Sequence, residues 1–138
     1  MKPKVIAAGL LAICPETEKF LLLKRRFDQT DFPGYWGLPG GGFDEKDGYP
    51  KITAIREFRE ETGYSGPVKV SKEPLYVRSD NHIDFYFYVG ILPFEFVPNL
   101  TGECIDGTSE SLGYSWVSVH CKFTDEDKVI PSIIKVLD

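Results

Sequence analysis

The chain has 138 residues, enough for one domain around one core and too few for two. Its 42% hydrophobic and 27% charged content is globular, neither disordered nor membrane-embedded. A net charge of −5 argues against a general binder of nucleic acid or anionic membrane, which would present a basic face.

Val5 to Cys14 is a continuous apolar run, the pattern of a strand buried on both faces. Behind Met1-Lys2-Pro3-Lys4 it also has the outline of a short signal peptide. The strand is preferred because Ile13-Cys14-Pro15 makes a poor cleavage site. The run is too short to span a bilayer as a helix, which points to a cytoplasmic protein. Turn chemistry at Pro15 to Lys19 leads to a second strand, Phe20 to Leu23, and then Lys24-Arg25-Arg26. Such a basic triplet is either a solvated strand edge or a phosphate contact, and Arg25 and Arg26 are the candidates because the guanidinium fork suits phosphate. A polar loop to Tyr35 follows, then Trp36-Gly37-Leu38-Pro39 and three glycines that permit close backbone approach. Trp36 is read as packing under that loop.

Pro50 and Gly63 bracket a helix, proline suiting its first turn and glycine the residue beyond its end. Ile52, Ile55, Phe58 and the methyl of Thr62 form its apolar side, while Glu57, Glu60 and Glu61 share the other at i, i+3 and i+4. Three carboxylates on adjacent turns repel one another, and a hard divalent cation would convert that repulsion into coordination. A solvated acidic face is the ordinary alternative. Beyond the helix, Val68 to Val77 reads as two short strands or a bulged edge around Pro74. His82 to Ile91 alternates as a strand, with Asp84 on its second face. Pro93 to Gly113 reads as a long loop, Tyr114 to Val117 as a strand, and Asp125 to Leu137 as a closing helix in which Pro131 demands a kink or a late start. Cys14, Cys104 and Cys121 are scattered without C-x-x-C spacing, and His82 and His120 have no second ligand pair, so neither a disulfide framework nor a zinc site is indicated.

Gly41 to Tyr64, GGFDEKDGYPKITAIREFREETGY, resembles the signature of the Nudix hydrolases: Gly, five residues, Glu, seven residues, Arg-Glu-apolar-any-Glu-Glu-any-Gly-apolar. Gly42 opens it, and Arg56, Glu57, Phe58, Glu60, Glu61, Gly63 and Tyr64 fill its second half. One position departs: Gly48 stands where the pattern has its first Glu. Glu110 to Trp116, ESLGYSW, is similar to a Glu-His-x-x-x-x-Trp passage of many family members, with Ser111 in place of the His.

The resemblance implies a single Nudix domain over residues 1–138, an α/β/α sandwich with a mixed curled sheet between the box helix and the C-terminal helix. It implies MutT-like, Mg²⁺-dependent hydrolysis of a nucleoside diphosphate linked to another moiety, with Mn²⁺ as a substitute metal. Its metal ligands would be the Gly41 carbonyl, Glu57, Glu60 and Glu61. Its base would be Glu57 or Glu110, and its substrate contacts Arg25 and Arg26. The expected partner is a small nucleotide, with no general nucleic-acid binding and no membrane, in a monomer or homodimer. A catalytically weak nucleotide-binding or sensor module is the alternative, kept open by Gly48. Asp47, Glu45 or Asp44 would supply the missing charge, or the site would hold its metal weakly yet remain active. The last is the expectation, because Glu57, Glu60 and Glu61 all survive.

Overall fold

A computed structural model describes residues 4–29, 31–100 and 111–137. Its elements are β1 (Val5–Cys14), β2 (Lys19–Arg25), β3 (Trp36–Gly37), β4 (Gly40–Gly42), α1 (Pro50–Thr62), β5 (Lys69–Val70), β6 (Tyr76–Ser79), β7 (Ile83–Ile91), β8 (Ser111–Ser118) and α2 (Pro131–Leu137). The apolar run at the start is the central strand, as its unbroken hydrophobicity predicts. β1 runs parallel to β7 along its length and antiparallel to β4 at Ala7 to Gly9. It pairs with β2 only at Ile13 and Cys14. Beyond that hairpin β2 leaves β1 and pairs with β8 and β3. The mixed sheet therefore opens into two leaves, with β4 hydrogen-bonded to β1 where β2 has left it and α1 packed against both β1 and β4.

Strand alternation sorts the core into two layers. Ala8, Leu10 and Ala12 of β1 and Leu21 and Leu23 of β2 face α1, where they meet Ala54 and Phe58. Leu11, Phe20, Leu22 and Phe87 face the opposite side and meet Val129 and Ile133 beside α2. Helices thus cover both faces of the sheet, the sandwich expected from the resemblance. Phe58 is fully buried, its ring 5.6 Å from Tyr64 and 5.9 Å from Phe96. Trp36 packs in the second layer, and its backbone exchanges hydrogen bonds with Lys128 and Ile130.

Several boundaries differ from the sequence reading. The buried face of α1 is Thr53, Ala54, Phe58 and Thr62, and Ile52 lies 42% exposed. At about 100° per residue Ile52 stands nearly opposite the buried Ala54 around the helix, so it faces away from the sheet. The glycines at 40–42 form a strand rather than a loop, because they close onto β1. β8 begins at Ser111, three residues early, since β2 extends as far as Arg25 and gives it a partner through a bulge. The closing helix is only Pro131–Leu137. Asp125–Asp127 is a separate 3-10 turn, and Lys128 at φ 56° breaks the path between them. Pro131 is therefore a late start and not a kink, at the first-turn position that tolerates it. Asp84 accepts hydrogen bonds from Ser79 and Lys4, which hold its carboxyl below the usual range, so it ties β7 to the chain start. Cys14 is buried and Cys121 exposed, both as free thiols.

Candidate active site

α1 carries the site on the face turned from Phe58. It starts at Pro50 and stops at Gly63, whose φ of 71° lets its N–H return to the Arg59 carbonyl. Arg59 is taken up at that end, donating to the carbonyls of Tyr64 and Gly66. One turn earlier, the Glu57 carboxyl lies against β4. A Cβ on Gly41 would fall 2.5 Å from Glu57 Cδ and 2.7 and 2.8 Å from its two oxygens. Only a residue without a side chain leaves that carboxyl its place. Glu61 reaches the same strand, where Oε1 accepts the Gly40 N–H at 3.3 Å.

Glu60 stands apart. Its side chain is 57% exposed and accepts from Arg56 Nη1 at 3.2 Å. Burial pushes the Glu57 carboxyl up from its usual range, and the neighbouring Arg56 guanidinium only partly opposes this. Among the described residues no three acidic, His or Cys side chains already converge on a metal point. Two carboxyls do converge, Glu57 and Glu61, and the third is an exposed side chain one turn away. Mg²⁺ binds through one or two carboxylates and completes its octahedron with water and phosphate, so this donor set fits it.

Glu61 also lines a cavity of about 230 Å³, together with Arg25, Gln29, Leu38, Gly40 and Ser111. A second cavity of about 160 Å³ shares Arg25, Leu38 and Gly40 with the first and continues to Phe32, Arg78 and Phe85. Arg25 is thus the basic side chain common to both. Its Nε donates to the Asp31 carbonyl at 3.1 Å. Arg26, the other predicted phosphate contact, is turned to Asp28, with Nη2 2.6 Å from Oδ2, and lines neither cavity. Glu110 lies outside the described residues.

The loop before α1 explains the departure at position 48. Gly48 has φ 78° and ψ −45°, a conformation L side chains rarely adopt, and a Cβ there would meet nothing within 4 Å. Asp47 does not face the other carboxyls as a spare metal ligand. It points inward to Arg56, with Oδ1 2.8 Å from Nε. Asp44 caps the 3-10 turn through Lys46 N–H, and Glu45 is exposed. The Asp47–Thr53–Arg56 contacts escaped the sequence reading, although one cue was present: an acidic residue displaced by one from its pattern position, before a helix carrying an arginine.

A model of the NUDIX domain matches residues 3–130. The chain belongs to the NUDIX family. A putative hydrolase, 111R, of Invertebrate iridescent virus 3 is 32% identical over 117 residues, covering 84% of this chain and 60% of that protein. A CMP-5'-(N-acetyl-N-hydroxy-3-aminopropyl)phosphonate hydrolase of Streptomyces rubellomurinus is 39% identical over 57 residues, 41% of this chain and 27% of that protein. This NUDIX chain therefore spans about a quarter to three fifths of the length of these relatives. In fold it is similar to a C. elegans Ap4A hydrolase, solved as a binary complex, with TM-score 0.69 and 20% identity over 96% of this chain and 92% of that one. Among the described residues no helix is long and apolar enough to cross a membrane.

Proposed function

We propose that this NUDIX protein is a Mg²⁺-dependent pyrophosphohydrolase. Its substrate would be a nucleoside diphosphate linked to another moiety, a nucleoside triphosphate or a related nucleotide. The observation that carries the reading is the Glu57–Glu61 carboxyl pair seated against Gly40 and Gly41, at the wall of a cavity that Arg25 also lines. The hydrolase names of two relatives, one acting on a CMP-linked phosphonate, point the same way.

Glu57, Glu61 and the Gly41 carbonyl would hold the metal, and Glu60 would join by leaving Arg56. A bound Mg²⁺, or Mn²⁺ in its place, supplies charge neutralisation of the diphosphate and a more acidic water. Arg25 would receive phosphate oxygens at the junction of the cavities, with Arg26 holding the loop beside it through Asp28. Glu57 would be placed to accept the water's proton, its carboxyl being fixed against β4 beside Glu61. Glu110 is the alternative base. The remaining part of the substrate would extend into the second cavity, toward Phe85 and Arg78. The protein would act in the cytoplasm on small molecules, as a monomer or homodimer.

The test is a nucleotide panel assayed for phosphate or pyrophosphate release with Mg²⁺ or Mn²⁺. Turnover abolished by excess chelator is expected. Full turnover in chelator would refute the metal role, and binding without turnover would turn the reading to a nucleotide sensor.

A further inference from the structure

The loop that lacks the pattern's carboxylate at position 48 offers another one residue earlier, turned inward. Asp47 has a side chain only 4% exposed. Its Oδ1 accepts from Arg56 Nε at 2.8 Å. Its Oδ2 accepts from Arg56 Nη2 at 3.0 Å, from Thr53 Oγ1 at 2.8 Å and from the Asp44 N–H at 3.1 Å. The carboxylate is therefore buried and turned to Arg56, Thr53 and the Asp44 N–H, not outward with the glutamates as a metal ligand.

Arg56 is equally committed. Nη1 donates to Glu57 Oε1 at 3.0 Å and to Glu60 Oε2 at 3.2 Å, and Nη2 donates to the Gly42 carbonyl at 3.1 Å. With the two bonds to Asp47, all five guanidinium N–H groups have acceptors. The group is planar and rigid. Fixing its Nε–Nη2 edge fixes where Nη1 points, and Nη1 is what touches the two glutamates.

We propose that Asp47 is a positioning residue for the carboxylate site: it clamps Arg56, and Arg56 sets Glu57 and Glu60. Gly48 makes this possible. Its positive φ closes the 3-10 turn Glu45–Asp47 and directs Asp47 under α1. The carboxylate absent from position 48 is replaced at one remove, as a clamp on the arginine. The proposal rests on reading Glu57, Glu60 and Glu61 as the metal-binding set.

The experiment is a double-mutant cycle of Asp47→Asn, Arg56→Gln and the pair. Mn²⁺ is titrated by electron paramagnetic resonance, turnover is measured with any nucleotide the parent cleaves, and melting is followed without metal. Partners that orient metal ligands typically govern affinity or activity by about 10–100-fold, so Asp47→Asn should raise the Mn²⁺ dissociation constant or lower kcat within that range. Added to Arg56→Gln, it should change neither by more than about twofold, because its effect runs through Arg56. A further tenfold loss in that background would overturn the proposal, since Asp47 would then act independently of Arg56. So would a lower melting temperature with parental Mn²⁺ affinity and kcat, the result of a purely structural pair. Should Asp47→Asn fail to fold, Arg56→Lys keeps the charge and loses the fork, and parental Mn²⁺ affinity and kcat in that variant would overturn the clamp. A parent that binds Mn²⁺ but hydrolyses nothing defeats the hydrolase reading alone, and the affinity cycle still decides. A parent that binds no Mn²⁺ defeats both.

Discussion

Gly41→Ala isolates the site from the fold. Gly41 does not require a positive φ, and a methyl there leaves its pairing with Ala8 in the sheet intact. Replacing glycine where alanine can adopt the backbone stabilises by about 0.4–1 kcal/mol through the unfolded chain, if nothing is hit. The methyl does hit something: it would stand 2.5 Å from Glu57 Cδ, where ordinary contact begins at 3.4 Å. The Glu57 carboxyl must therefore retreat by about 1 Å, a displacement that costs about 10²-fold in rate when it misplaces a reacting group. Arg56 cannot follow without leaving Asp47. The expected outcome is kcat down about 10²-fold at saturating Mg²⁺, with a melting temperature at or near the parental one. Steady-state kinetics on the nucleotide the parent cleaves, beside a thermal melt, makes the measurement. A kcat within threefold of the parent would show that the contact of Glu57 with β4 is incidental and would remove the main support for the site.

Glu60→Gln and Glu61→Gln should each lower turnover by about 10² or more, since each removes charge from the metal-binding set; circular dichroism should stay parental, and a loss below tenfold would make the face merely solvated. Phe58→Ala should destabilise the protein by about 3–5 kcal/mol in urea unfolding, because its fully buried ring joins α1 to the Tyr64–Phe96 cluster. Gly48→Ala should cost about 1–3 kcal/mol of backbone strain with no clash, and Gly48→Glu should match it in both stability and Mg²⁺ midpoint; a lower midpoint for the Glu variant alone would mark position 48 as a missing ligand. The carboxyls of Asp47, Asp80 and Asp84 are all held below their ordinary value by hydrogen bonds, with Arg56 the chief cause for Asp47. Their stabilisation is present above that value and lost as pH falls toward the folded-state pKa, so melting temperature should drop below about pH 4, and less steeply in Asp47→Asn.

What the sequence made legible was whatever repeats locally. The apolar run at Val5 and the alternation at Ile83 are strand signals that neighbours cannot easily override, and both strands lie at the centre of the sheet. Pro50 and Gly63 act within one helical turn, so the bounds of α1 were readable to the residue. The failures are tertiary. Nothing near Ser111 announces a strand; it forms one because β2 reaches that far. Asp125 to Leu137 has enough apolar residues for a long helix, yet Lys128 and the pairing of Trp36 with Val129 divide it. For the site, the spacing of Glu57, Glu60 and Glu61 put three carboxylates on one face but gave no hint that Glu57 and Glu61 turn to β4 while Glu60 turns to Arg56. Arg25 and Arg26 are neighbours in sequence and part in space, because β2 ends at Arg25 and Arg26 already belongs to the following loop, where it is held by Asp28. The loop closes over one of them and opens a cavity beside the other.

The departure at Gly48 shows why spacing alone is an incomplete test of a site. A motif written as positions treats residue 48 as empty, and an empty position implies a weaker site. In space, what Arg56 requires is a carboxylate within reach of its Nε–Nη2 edge, and backbone geometry determines which residue supplies one. A 3-10 turn ending in a glycine at φ 78° places Asp47 there, one residue early and one methylene shorter than a glutamate. The shorter side chain is compensated by depth: Asp47 is buried and braced by Thr53 from α1 itself, so the helix that carries the glutamates also fixes the clamp on their arginine. An exposed ion pair of the same length would contribute little, because solvent screens it and side-chain entropy opposes it. This one is shielded, bidentate and tied at a third point, the arrangement in which such a pair sets geometry. The same argument ranks the three candidates for the missing charge. Asp44 is used by its own turn and, among the described residues, no hydrogen bond or ion pair ties the Glu45 side chain to α1, whereas the contacts of Asp47 reach the site through Arg56.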